Sequence, residues 1–217
     1  MNRTAKLAAV CLLPLLGLTP AQAGGPAKGV VELFTSQGCS DCPPADRTLG
    51  SLTNSGGVIT LAWHVDYWDY LGWKDTFSSK SATNRQEAYN RTIGAGVFTP
   101  QFVVNGKSSG LGGQNGGLPV SVSVKNNGGS ISVSAGSGSG SANLYLVTYS
   151  NSSTVAIQRG ENRGKSVTYR HVVSGLRSIG SWNGSPVNIN VAHGGGGCAV
   201  ILQRGTNGPI LGAASCG

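Results

Sequence analysis

Cys39 and Cys42, in the segment Gly38-Cys39-Ser40-Asp41-Cys42-Pro43-Pro44, form the pair whose residue types and spacing best suit covalent chemistry. They follow an apolar run, Val30-Val31-Glu32-Leu33-Phe34, and open a stretch that reads as a helix with proline at its start. A thiol at a helix start faces unpaired backbone N–H groups and the positive end of the helix dipole, which favours its thiolate. The chemistry expected is thiol-disulfide exchange, with a partly exposed Cys39 attacking or being attacked and Cys42 resolving the mixed disulfide. Asp41 opposes ionisation beside Cys39, so the expected potential is moderate or reducing rather than strongly oxidising. A structural disulfide has the same spacing and stays open as a reading.

The compartment supports a disulfide. Residues 1–23 read as a signal peptide: Arg3 and Lys6 precede an apolar stretch from Leu7 to Leu18, and Ala21-Gln22-Ala23 is a small-residue cleavage site. The stretch is shorter than the roughly 20 residues of a spanning helix. The expected location is therefore periplasmic or secreted, where disulfides persist. Beyond Cys11 in the signal, four cysteines remain; if Cys39 pairs with Cys42, the second pair is Cys198-Cys216, a structural staple worth about 3 kcal/mol.

Composition divides the chain. Residues 24–117 hold seven basic and seven acidic side chains and ten of the fourteen aromatics, whereas residues 118–217 hold seven basic residues and only Glu161, so the net charge of +8 is concentrated there. Two domains, 24–117 and 118–217, are expected on either side of the glycine-rich 110–117 stretch. In the first, strand 30–34, helix 43–52, strand 58–64, helix 78–93 and a hairpin turning at Asn105-Gly106 are legible. In the second, Val120-Ser121-Val122-Ser123-Val124 and Val187-Asn188-Ile189-Asn190-Val191 alternate with the period of strands, and further short strands read as a β-sandwich.

With those segments in view, the first part resembles a thioredoxin-like domain. The whole chain resembles the exported bacterial family termed domain of unknown function 1223, through Glu32-Leu33-Phe34-Thr35-Ser36-Gln37-Gly38-Cys39 and on to Asp46, Trp63-His64-Val65-Asp66-Tyr67-Trp68-Asp69-Tyr70 and on to Asp75, Arg85-Gln86, Thr99-Pro100-Gln101, Arg159-Gly160-Glu161-Asn162 and Ile210-Leu211-Gly212-Ala213-Ala214. The resemblance implies an α/β thioredoxin-like domain followed by an all-β, sandwich-like domain. It also implies a cis Pro100 facing the dithiol, with the Thr99 backbone pairing with a bound polypeptide. Glu32 would be the buried acid that accepts the proton of Cys42; a Glu32 that faces solvent or pairs with Arg47 is the alternative.

Trp63, His64, Asp66, Tyr67 and Trp68 follow the second strand, at the sheet end where the dithiol also lies, and are expected to form a substrate groove with His64 or Asp66 moving protons. A hydrogen-bonded core His64 is the alternative. Cys39, Cys42 and His64 also make a plausible soft Cu(I) site, so a periplasmic copper-binding protein is the second function weighed, and a non-catalytic binding module the third. With no dinucleotide or phosphate loop, no organic cofactor is expected. No basic stripe with interleaved aromatics argues for nucleic acid. The expected partners are protein thiols or disulfides, with room for a membrane redox partner that recharges the pair.

Overall fold

The computed structural model describes residues 23–111 and 117–217. The signal-like segment up to residue 22 and residues 112–116 of the glycine-rich stretch lie outside the described residues.

Strand β2 (Gly29–Thr35) is buried along its whole length, as a continuous apolar run requires. It leads into α1 (Cys42–Ser55), and β3 (Val58–His64) returns parallel to β2, with Val30 beside Ile59 and Thr35 beside His64. Helix α2 (Lys80–Ile93) starts after Ser79, whose hydroxyl accepts from the Ala82 N–H, and stops at Gly94 in the left-handed region. Strand β4 (Gln101–Val104) runs antiparallel to β2 and turns into β5 (Ser108–Ser109) through Asn105 and Gly106, both at positive φ.

The second half does not fold as a separate all-β domain. Strands β6 (Val122–Asn126), β7 (Ser130–Ala135) and β10 (Val187–Ala192) form an antiparallel sheet with β1 (Ala23–Gly24). Strands β8 (Ala142–Ala156), β9 (Ser166–Trp182), β11 (Gly197–Gln203) and β12 (Ile210–Ser215) instead extend the first sheet, giving eight strands in the order β12-β11-β8-β9-β3-β2-β4-β5. The expected fold class, a thioredoxin-like α/β domain followed by an all-β domain, is thereby corrected. The chain is mostly β, with 44% strand against 15% helix, and a single mixed sheet carries strands from both halves. The physical reason is the free edge of β3: β9 lies parallel to it at Ala62 and Val172 and satisfies a buried ladder that would otherwise be left open.

The large sheet curls until β12 reaches the entry to β2: the Ala27 N–H donates to Ala213 O (2.9 Å) and the Ile210 N–H to Asn105 O (2.8 Å). Val30, Phe34, Leu61, Trp63, Val147 and Ile201 fill the curl together with Ala82 and Tyr89 of α2. Across it, Arg85 Nε donates to Glu32 Oε1 (2.7 Å) and Arg85 Nη2 to Gln203 Oε1 (3.2 Å), which ties α2 to strands from both halves. On the opposite face, Ala45 and Leu49 of α1 pack on Val31, Leu33 and Ala62. The small sheet packs on β8, β11 and β12 through Val122, Ile131, Leu144, Val200 and Leu211. There the expected Cys198–Cys216 disulfide joins β11 to the residue after β12, with Cα atoms 5.3 Å apart.

Candidate functional site

The dithiol occupies the turn between β2 and α1. Cys39 and Cys42 are joined in a disulfide with Cα atoms 5.4 Å apart. Cys42 is the first residue of α1, and its N–H donates to Cys39 O (3.3 Å) in the turn before it. Both are enclosed, Cys39 at 1% and Cys42 at 0% exposure. The partial exposure expected of Cys39 is thus corrected: it is buried, in the turn that leads directly into α1.

Residues far away in the chain enclose the turn. The Gln37 N–H donates to Asp75 Oδ2 (2.8 Å), and Gln37 Oε1 accepts from Trp73 Nε1 (2.8 Å). Trp68 packs so closely on Gly38 that a side-chain carbon there would lie 3.1 Å from Trp68 Cβ. From the opposite half, Asn162 Nδ2 donates to Gln37 O (2.9 Å) and to Cys39 O (2.7 Å).

Around the turn lie two buried carboxyls and an imidazole. Asp46 stands four residues after Cys42 on α1, so the two share a helix face. Asp46 is 3% exposed; its Oδ1 accepts from Thr35 Oγ1 (2.9 Å), while Oδ2 has no hydrogen-bond partner among the described residues. Burial pushes its carboxyl up to about 7, with the neighbouring His64 and the Thr35 hydroxyl pulling the other way. His64 Nδ1 donates to Asp75 Oδ2 (2.7 Å), and its buried Nε2 is also unpartnered among the described residues. Tyr169 and Phe77 meet the His64 ring edge to face at 4.8 Å and 5.2 Å, so the imidazole sits in an aromatic cage.

The expected site residues separate into two groups. Trp68 lies against Gly38 and donates from Nε1 to Thr99 Oγ1 (2.8 Å), which brings Thr99 and Pro100 within one indole of the dithiol turn. The Thr99–Pro100 peptide is cis. Tyr67 is half-buried beside Trp68, and Asp66 is engaged with α2, accepting from the Thr83 hydroxyl. Trp63 and Glu32 point the other way, into the curl under α2. Arg85 lies 5.0 Å from the Trp63 ring centroid, and Glu32 accepts from both Arg85 and the Tyr89 hydroxyl. Alternation along a strand forces this: Val31, Leu33 and Thr35 face α1, so Glu32 cannot.

Among the described residues no group of three His, Cys, Asp or Glu side chains is gathered to hold a metal ion, and His64 Nδ1 is committed to Asp75. The three groups expected for a Cu(I) site, Cys39, Cys42 and His64, are not gathered as ligands in the oxidised protein, in which Cys39 and Cys42 are bonded to each other. Asp46 and Asn162 lie in segments that carry the family resemblance, but the sequence assigns neither a role. The available signal for Asp46 was its four-residue spacing from Cys42 along one helix.

Comparison with known proteins places the chain. A protein from Agrobacterium tumefaciens, a structural-genomics target solved by X-ray crystallography, is 37% identical, covers 87% of this chain and 93% of its own, and superposes with a TM-score of 0.76. HBP35 of Porphyromonas gingivalis is 16% identical over 88% of this chain and 74% of its own, with a TM-score of 0.59, a likeness of fold alone. No curated protein matches the chain significantly. The family model described as a protein of unknown function (DUF1223) matches residues 30–203, a span that includes Glu32, the dithiol, Asp46, His64, Pro100 and Asn162, so the chain belongs to the DUF1223 family.

Proposed function

We propose that this protein is an exported thiol-disulfide oxidoreductase that exchanges disulfides with protein substrates through Cys39 and Cys42. The observation that carries the reading is Asp46: a carboxyl one helical turn from Cys42, buried, poised near neutrality and with one oxygen unpartnered. A bridge kept only for stability has no need of a buried acid that titrates near pH 7, whereas exchange needs a group there that gives or takes a proton.

In the oxidising direction a substrate thiolate attacks Cys39 Sγ, the Cys39–Cys42 bond breaks, and Cys42 leaves as a thiolate that takes the proton of Asp46. A second substrate thiolate attacks the substrate sulfur of the mixed disulfide and Cys39 leaves as thiolate. The substrate loses two electrons and the pair gains two. In the reverse direction Asp46 accepts the Cys42 proton as Cys42 attacks. Thr99 and Pro100 flank the path of an extended substrate. Exposed Tyr70, Leu71, Val97 and Phe98, on the two loops joined by the Trp68–Thr99 bond, offer it apolar contact.

The enclosure of both sulfurs favours a second reading, a binding module that keeps the bridge for structure. Two measurements separate them. Cys42→Ser should trap exported proteins as disulfide adducts at Cys39 that are lost in Cys39→Ser/Cys42→Ser, and the wild-type pair should have a potential above about −300 mV. No Cys39-dependent adduct together with a potential below that value would establish the structural reading.

A further inference from the structure

We infer that Asn162 latches the loop of residues 158–166 onto the dithiol turn and so controls the access of an incoming thiolate to Cys39. This inference deepens the exchange reading above by naming what opens its site.

Strands β8 and β9 form a long hairpin that runs beside β3, and its tip reaches the turn that holds the dithiol. The hairpin is seated just before its tip: Ile157, Val167, Tyr169 and Val172 form a buried cluster against Trp73 and Phe77. Beyond Ile157 the tip is different. Residues 158–166 are all exposed except Asn162, which is 1% exposed. Asn162 is thus the one buried residue of an otherwise solvated tip, and its amide faces the active turn.

The orientation of that amide is determined by its neighbours. Lys165 Nζ can only donate, and it does so to Asn162 Oδ1 (2.8 Å), so Nδ2 must face the carbonyls of Gln37 and Cys39. Apart from these bonds, the tip meets the first half where Gly160 approaches Trp73, close enough that a Cβ there would lie 3.3 Å from Trp73 Cβ. The other wall of the turn is anchored far more firmly. The segment that follows Trp68 is held by Asp69, which accepts from the Asp75 N–H (3.1 Å) and the Ser78 hydroxyl (2.7 Å), and by Trp68 bonded to Thr99. Since disulfide exchange requires in-line approach to a sulfur, and Cys39 is closed in the oxidised protein, the loosest wall is the one that yields.

The test is reduction of the full-length oxidised protein by dithiothreitol, with each bridge followed separately by alkylation and mass spectrometry. One thiolate of the reagent attacks Cys39 Sγ and expels the Cys42 thiolate; the second closes the reagent's ring and expels the Cys39 thiolate, so the reagent is oxidised as the bridge is reduced. Asn162→Ala removes both donated bonds, and Asn162→Asp keeps the shape but can donate to neither carbonyl. Both should accelerate reduction of Cys39–Cys42 about tenfold or more, the scale of two ordinary hydrogen bonds. Cys198–Cys216 is an internal control, buried to a similar degree at 2% and 1% exposure, and its rate should not change. An unchanged Cys39–Cys42 rate, or equal acceleration of both bridges as global destabilisation would give, overturns the latch. Failure of the exchange reading is seen separately, in the Cys42→Ser adducts and the potential of the wild-type pair.

Discussion

Replacing Asp46 with asparagine keeps the shape of the side chain and removes its charge, and the consequence for stability can be worked out from the structure. Burial raises this carboxyl from 3.8 to about 7, so the fold favours the protonated form. A group whose folded pKa is raised contributes its full stability below its unfolded value, near pH 4, and loses it as pH climbs through about 7. The rise corresponds to about 4 kcal/mol, at roughly 1.4 kcal/mol per pH unit. In the variant, Oδ1 can still accept from Thr35, and the amide nitrogen takes the position of Oδ2, where protonated Asp46 also has an unpartnered O–H. The two proteins should therefore be close in stability near pH 4. Asp46→Asn should become the more stable one as pH rises, by about 4 kcal/mol at pH 8. Urea unfolding of the oxidised proteins between pH 4 and pH 8 measures the difference, because titrating groups remote from Asp46 cancel between them. A gap that does not change with pH, or one that shrinks as pH rises, would refute the placement of a buried titrating carboxyl at Asp46.

Three further outcomes follow from other buried groups. Arg85→Met leaves the Glu32 carboxylate enclosed without its cation and should cost about 3–5 kcal/mol in urea unfolding, much of it recovered in Glu32→Gln/Arg85→Met. Glu32→Gln alone should leave the potential of the Cys39–Cys42 pair unchanged, because Glu32 faces away from α1; a shift of the potential would return Glu32 to the reacting site. Cys198→Ala/Cys216→Ala should lower stability by about 3 kcal/mol and lower the thermal midpoint without altering the dithiothreitol kinetics of the other bridge.

Local elements were legible because their signals are local. Asn105-Gly106 reads as a tight turn, and Val187 to Val191 alternates as a strand does; each is found where its residues predict. The long hairpin was read only in pieces, since turn-like Asn151-Ser152-Ser153 interrupts the apolar pattern while the backbone of β8 runs straight through it. Partners of strands were not legible. Periodicity shows that a segment is a strand and which residues share a face, but β3 and β9 pair across more than a hundred residues, with nothing in either segment to name the other. The same limit hid Asn162, a polar loop residue whose role exists only through the carbonyls it meets.

The dithiol with its spacing, the second pair of cysteines, the two helices and the apolar strands were determined by the sequence alone, because each depends on groups a few residues apart or on residue type. The tertiary structure decided that one curled sheet joins both halves, that Glu32 turns inward to Arg85 while Asp46 is buried against Thr35, and that Asn162 meets the Cys39 carbonyl. Those facts depend on which face of a strand meets which helix and on which distant segment fills an open edge. They are settled only when the whole chain packs.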